Sequence, residues 1–161
     1  MPRARPAPSN LPPGSVRISG HAWSTGATFW LRGERLDPDV ITRVMGIEPN
    51  RADRRGEPRA SNPQYKHRTG AWTLESENAV SREDDHLDDH LRWLLDRLEP
   101  RAPALAEVVA DQGLDVEFWC VVWMDGPNCD FALPPETIGR VAALGAALRL
   151  DIYESDDVQP E

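Results

Sequence analysis

Two histidines four residues apart, His86 and His90, are the first pair in this chain whose type and spacing could do chemistry. On a helix their rings lie one above the other, as a helical metal pair requires, and the neighbouring Asp89 could add an oxygen ligand. A closed metal site needs a third and a fourth ligand, and none can be named. The same helical flank also carries Trp93 and Arg97, a mixture expected of a half-exposed face, so neither a metal nor another cofactor is expected. Cys120 falls inside an apolar run, where a thiol acts as a small filler. Cys129 lies just beyond a turn, and a tight hairpin there sets Met124 rather than Cys120 opposite it, which argues against a disulfide. A thiol nucleophile needs a base and an orienting third group, and no local signature supplies them. The phosphate-cradling loop, the dinucleotide glycine fingerprint, the Gly-x-Ser-x-Gly elbow and the His-Glu-x-x-His pair are all missing from the sequence.

Charge clusters are the remaining candidates. Residues 51–69 hold Arg51, Arg54, Arg55, Arg59, Lys66 and Arg68 against Asp53 and Glu57, and Gly56, Pro58 and Pro63 break the segment. A loop this long inside a small domain is more often functional than its surroundings, and arginine's planar fork matches phosphate or carboxylate. Its bland reading is a loop that neutralises nearby acidic groups. Glu83, Asp84, Asp85, Asp88 and Asp89 form an acidic run, which reads either as a helix N-terminus favouring negative charge or as a patch steering a basic protein into contact. Tyr65 and His67 alternate with Lys66 and Arg68, a weak echo of single-strand nucleic-acid grooves. A net charge of −9 over 161 residues opposes nucleic acid as the main partner.

The elements that must position these residues are well punctuated. Asp37 can cap a helix that starts at Pro38, Gly46 can close it in the left-handed conformation, and Pro49 blocks a restart. Residues 22–32 suit a strand with Gly26 as a bulge, and residues 16–19 can extend or pair with it. Residues 71–77 alternate, with Trp72 and Leu74 on one face and the other side in water. Ser81 and Asp84 have the form of a capping box, and Leu87, Leu91, Leu94, Leu95 and Leu98 follow at helical spacing until Pro100. Residues 104–112 make a further helix closed by Gly113. The unbroken run from Phe118 to Trp123 predicts a central strand covered on both faces, and residues 125–128 make a turn from which residues 129–133 return as a hairpin partner. A last helix carries Ile138, Val141 and Leu144, and residues 149–154 close with a strand. Most of the six tryptophans are expected in the core.

The order "L-D-P-x-x-I-T-x-x-x-G-I-x-P" from Leu36 to Pro49, then a basic loop, then "G-x-W-x-L-x-S" from Gly70 to Ser76, resembles the bacterial family called domain of unknown function 4279 (DUF4279). The likeness also takes in the helical leucines Leu94, Leu95 and Leu98 and the closing segment to Tyr153, and spans residues 22–155. It implies a compact cytoplasmic domain of unassigned activity, and it brings no catalytic residues.

Composition sets the outer frame. A 40% hydrophobic chain of this length is enough for one domain with a real core. Residues 1–15 hold five prolines and almost nothing apolar, and read as a disordered leader; residues 16–155 form the domain; residues 156–161 are an acidic, frayed tail. Two cysteines, no signal-peptide pattern and no long apolar run point to the cytoplasm and away from membranes. The expected fold is α+β: a mixed sheet of four or five strands with helices mainly on one face, a ferredoxin-like variant among the options. The expected function is a non-enzymatic module that binds a basic protein through the arginine-rich loop and the adjoining acidic helix, as an immunity-type protein does. The rival is an enzyme or sensor that binds a small anion at Arg51, Arg54 and Arg55.

Overall fold

The computed structural model describes residues 20–77, 79, 80, 86–124 and 129–154. The leader, the tail, the extension at 16–19, the Ser81–Asp84 capping box and the turn at 125–128 lie outside them. The first long strand, β1 (Gly20–Gly33), leads into α1 (Pro38–Met45). That helix is built as its letters dictate. The Asp37 carboxylate accepts the Asp39 amide at 3.1 Å, Pro38 occupies the first turn, and Gly46 adopts φ 64° to stop it. Then come β2 (Arg51–Asp53), a small hairpin of β3 (Pro58–Arg59) and β4 (Asn62–Lys66), and β5 (Gly70–Glu75). Helices α2 (Leu87–Leu98) and α3 (Ala102–Gln112) are joined by a 3-10 turn containing Pro100, and α3 ends at Gly113 with φ 62°. The chain closes with β6 (Asp115–Met124), β7 (Cys129–Asp130), α4 (Pro135–Ala143) and β8 (Ala147–Glu154).

The main sheet has the order β2-β5-β1-β6-β8. β1 runs antiparallel to both its neighbours, β5 and β6, while β8 lies parallel to β6 and is reached through the α4 crossover. This is a single α+β domain with a mixed sheet. It departs from the β-α-β-β-α-β succession of a ferredoxin-like fold, because two helices rather than a hairpin join its second and third long strands. β7 does not return along β6 either. Both edges of β6 are taken by β1 and β8, so β7 pairs in parallel with the start of β1, Cys129 opposite Gly20. The bulge in β1 falls between Ala22 and Ser24, and Gly26 stays in the ladder opposite Val121.

One face of the sheet carries the core. Phe29 and Leu31 of β1, Trp72 and Leu74 of β5, and Phe118, Cys120 and Val122 of β6 are buried under Ile41, Met45, the leucine stripe of α2 and Val141 of α4. All four α-helices among the described residues pack into this one cluster. Arg140 holds α4 to α2 by bonding Glu99 at 2.7 Å and Asp96 at 2.6 Å. β6 is therefore not covered on both faces: burial alternates along it, and Glu117, Trp119, Val121 and Trp123 lie on the helix-free side. β5 departs in the opposite sense. Its second face is dry, because Thr73 sits between Trp30 and Arg51 in register and is 1% exposed. Among the tryptophan side chains described, only Trp72 is fully buried; Trp30, Trp93 and Trp119 are half-buried and Trp123 is exposed.

Candidate functional site

The arginine-rich segment is an ordered hairpin rather than an open loop. Its base is closed by two backbone bonds of 2.9 Å, from the Gly56 amide to the His67 carbonyl and from the His67 amide to the Glu57 carbonyl. Three of its cations are already answered. Arg51 pairs with Asp53 at 2.7 Å, and Arg55 with Glu34 at 3.0 Å. Arg54 bonds Asp37 at 2.8 Å and also reaches Asp39. Burial pulls the Asp37 carboxyl up, but the Asp39 amide and the Arg54 guanidinium outweigh it and hold the group below its ordinary value. The hairpin itself is left with Arg59, Lys66 and Arg68, which make no ion pair among the described residues, and with the exposed ring of Tyr65.

The acidic helix stands away from this hairpin. Arg54 and Arg55 bind carboxylates just after Gly33, which pairs with Gly70 at one end of β5; α2 begins near Ser76 at the other. Six residues of strand separate the two, about 20 Å. Asp84 and Asp85 lie outside the described residues. Asp88 accepts a hydrogen bond from the Thr137 hydroxyl and lies 3.9 Å from Arg92, so it helps seat α4, and Asp89 is half-buried. The two histidines do not converge. His86 is exposed at the N-cap of α2, whereas His90 is 2% exposed, within the leucine stripe rather than on a half-exposed flank. Leu87, His90, Leu91 and Leu94 follow the i, i+3, i+4, i+7 rule, and His90 Nδ1 meets Ser76 Oγ at 2.8 Å. Ser76 Oγ also accepts the Ala27 amide at 3.2 Å and lies 2.7 Å from the Ala27 carbonyl, so this buried serine-histidine pair ties β5 and β1 to α2. Among the described residues no group of three His, Cys, Asp or Glu side chains is placed to hold a metal ion. Burial pushes the Cys120 thiol up to about 12.

The surface with the most to offer is the helix-free face of the sheet, the face on which the sequence already sets Trp119 and Trp123 together. Trp30 of β1 and Trp119 of β6 lie with ring centroids 5.7 Å apart; Trp123 of β6 stacks on Tyr153 of β8 at 4.7 Å with planes 23° apart. Trp119 Nε1 donates to Asp151 at 2.7 Å, and the Arg149 guanidinium stands 5.4 Å above the Trp119 ring while pairing with Glu117. Trp30, Arg32, Asp115, Glu117, Trp119 and Arg149 line a shallow depression of about 150 Å³. The signal for this face was the alternation Asp115, Glu117, Trp119: a carboxylate at every second place is incompatible with a strand buried on both sides.

A profile of the family described as "Domain of unknown function (DUF4279)" matches residues 21–155. The chain belongs to the DUF4279 family. Neither the curated proteins nor the solved structures contain a match. The letters by which the chain resembles DUF4279 sit at structural joints. Thr42 Oγ1 accepts the Trp72 indole N–H at 3.1 Å, fixing α1 to β5. A Cβ on Gly70 would lie 2.6 Å from the Leu36 carbonyl oxygen, so only glycine lets β5 start against that turn.

Proposed function

We propose that this DUF4279 domain is a binding module for another protein, with the helix-free sheet face as its main recognition surface and the β3–β4 hairpin as a second, cationic contact. The observation that carries this reading is the two aromatic pairs on this face, Trp30 tilted against Trp119 and Trp123 stacked on Tyr153, flanked by Arg149. Tryptophan, tyrosine and arginine dominate interface hot spots, and a protein core gains little from presenting them outward. The groups that could carry chemistry support a non-enzymatic role. The Ser76–His90 pair and Cys120 are sealed in the core, and the depression on the open face is shallow. A net charge of −9 favours a basic partner over nucleic acid. An immunity-type protein that neutralises a basic toxin in the bacterial cytoplasm fits these features by analogy. No helix among the described residues is long and apolar enough to cross a membrane. The small-anion reading is weaker, since Arg54 and Arg55 are already held by carboxylates.

Affinity capture from the source cells, run with wild type, Trp119→Ala and Trp123→Ala at low and high salt, tests the proposal. A protein retained at low salt, released at high salt and lost with either variant is the expected result. Capture that is equal in all three, or a wild type that retains nothing, overturns it.

A further inference from the structure

β8 is the outermost strand of the sheet, and among the described residues nothing pairs with its outer edge. It is eight residues long, and its helix-side row is apolar and open: Leu148 is 37% exposed, Leu150 41% and Ile152 49%. Ile138 of α4, 50% exposed, continues the patch across a groove of about 160 Å³ lined by Leu133, Val141, Ala142 and Leu148. A long edge with an apolar row is a template for a further strand, and monomeric proteins usually blunt such edges.

We propose that the occupant of this edge is a second copy of the chain, its β8 antiparallel to the first across a two-fold axis at Leu150. The spacing of charge and bulk selects both the occupant and the register. In an antiparallel pair, directly opposed residues share a face, so a two-fold seam must centre on a residue whose neighbours match one another. Centred on Leu150, Leu148 faces the partner's Ile152, and Arg149 faces the partner's Asp151 at both ends of the seam. Leu150 meets its own copy. Centring one residue earlier sets Arg149 against Arg149, and one residue later sets Asp151 against Asp151, so like charges reject both neighbouring registers. The helices of both copies then lie on the same side. The partner's Ile152 comes beside the groove under Ile138, and the apolar rows merge into one strip. Arg149 is half-exposed beyond its contact with Glu117 and is free to bridge both carboxylates. The seam's apolar row lies on the helix side of the sheet, whereas Arg149 and Asp151 also border Trp119 on the recognition face, so Leu150→Arg is the variant that tests the seam without altering that face.

Sedimentation velocity of the full chain from about 1 to 100 µM measures the association directly. The expected result is a monomer–dimer equilibrium that Leu150→Arg abolishes while the far-UV spectrum and cooperative melting persist. Arg149→Asp and Asp151→Arg each set like charges across the seam and should weaken self-association at least tenfold. Mixing those two variants restores it, because each then opposes the other's charge. Hydrogen exchange supplies a second readout, with β8 amides protected at high concentration and released on dilution. A wild type that stays monomeric across the range, a dimer untouched by Leu150→Arg, or a mixture no tighter than its components overturns the proposal. β8 amides protected in a monomer would show the edge covered by the chain's own remaining residues, and would also overturn it.

Discussion

The Thr42–Trp72 joint allows a sharp test of how the fold is held. Trp72 is fully buried, and its indole N–H reaches one acceptor, Thr42 Oγ1 on α1, at 3.1 Å. Thr42→Val keeps the branched shape but removes that acceptor, leaving a buried donor unsatisfied at a cost of about 1–3 kcal/mol. For a domain of this size each kcal/mol lowers Tm by roughly 2–4 °C, so the expected drop is about 2–12 °C. Trp72→Phe costs more in absolute terms, because it opens a cavity beside Phe29. With the donor gone, however, adding Thr42→Val should cost almost nothing, and the cycle should show a coupling of about 1–3 kcal/mol. Denaturant titrations of all four proteins at unchanged m-value measure this. If Thr42→Val costs the same in both backgrounds, or nothing in the wild type, the joint is not what fixes α1 to β5.

Three further outcomes follow from particular groups. Thr73 Oγ1 is buried with no hydrogen-bond partner among the described residues, so Thr73→Val should leave stability unchanged or raise it by up to about 1 kcal/mol in the same titrations; a loss would mean the hydroxyl has a use. Because burial keeps Cys120 protonated, alkylation of the native protein at about pH 8 should leave Cys120 unlabelled until denaturant is added; mass spectrometry decides it, and labelling of native Cys120 refutes it. The Asp37 carboxyl titrates below its ordinary 3.8 when folded, so its charge stabilises the fold above that pH and ceases to do so as pH falls through the lower native value. Asp37→Asn keeps the cap acceptor and drops the charge. The wild type's advantage over it should be full at neutral pH and vanish in acid, and a constant gap down to acid pH refutes the assignment.

What was legible in the sequence was whatever is decided within a few residues. Asp37, Pro38 and Gly46 form a helix with its start and stop because capping and left-handed closure need no distant partner. The leucine stripe was equally plain, yet His90 was assigned to its flank although it obeys the same spacing. A titratable side chain reads as exposed until Ser76, fourteen positions earlier, is known to meet it. The second face of β6 was legible in the carboxylates Asp115 and Glu117 but was overridden by the apolar run that follows them. The destination of β7 was not legible, because it depends on which strands occupy which edges, and no local periodicity records that. The cationic loop illustrates the same limit. Its arginines were visible, but the carboxylates that neutralise Arg54 and Arg55 come from a turn some twenty residues away.

This limit bears on where recognition resides. The motif residues Thr42, Gly46, Gly70, Trp72 and Ser76 each complete a joint: a hydrogen bond between elements, a helix stop or a close backbone approach. Those jobs are internal, and they account for the residues that perform them. Trp123, Tyr153, Tyr65, Arg59, Lys66 and Arg68 have no comparable internal work. Large aromatic rings held at the surface lower solubility, and unpaired cations do nothing for a core. Stacking Trp123 on Tyr153 from neighbouring strands also fixes both rings before any partner arrives, which reduces the entropy cost of ordering them on contact. An aromatic surface unneeded by the fold is the one on which binding free energy can be gained at least cost, which is why we propose the helix-free face rather than the motif as the recognition surface.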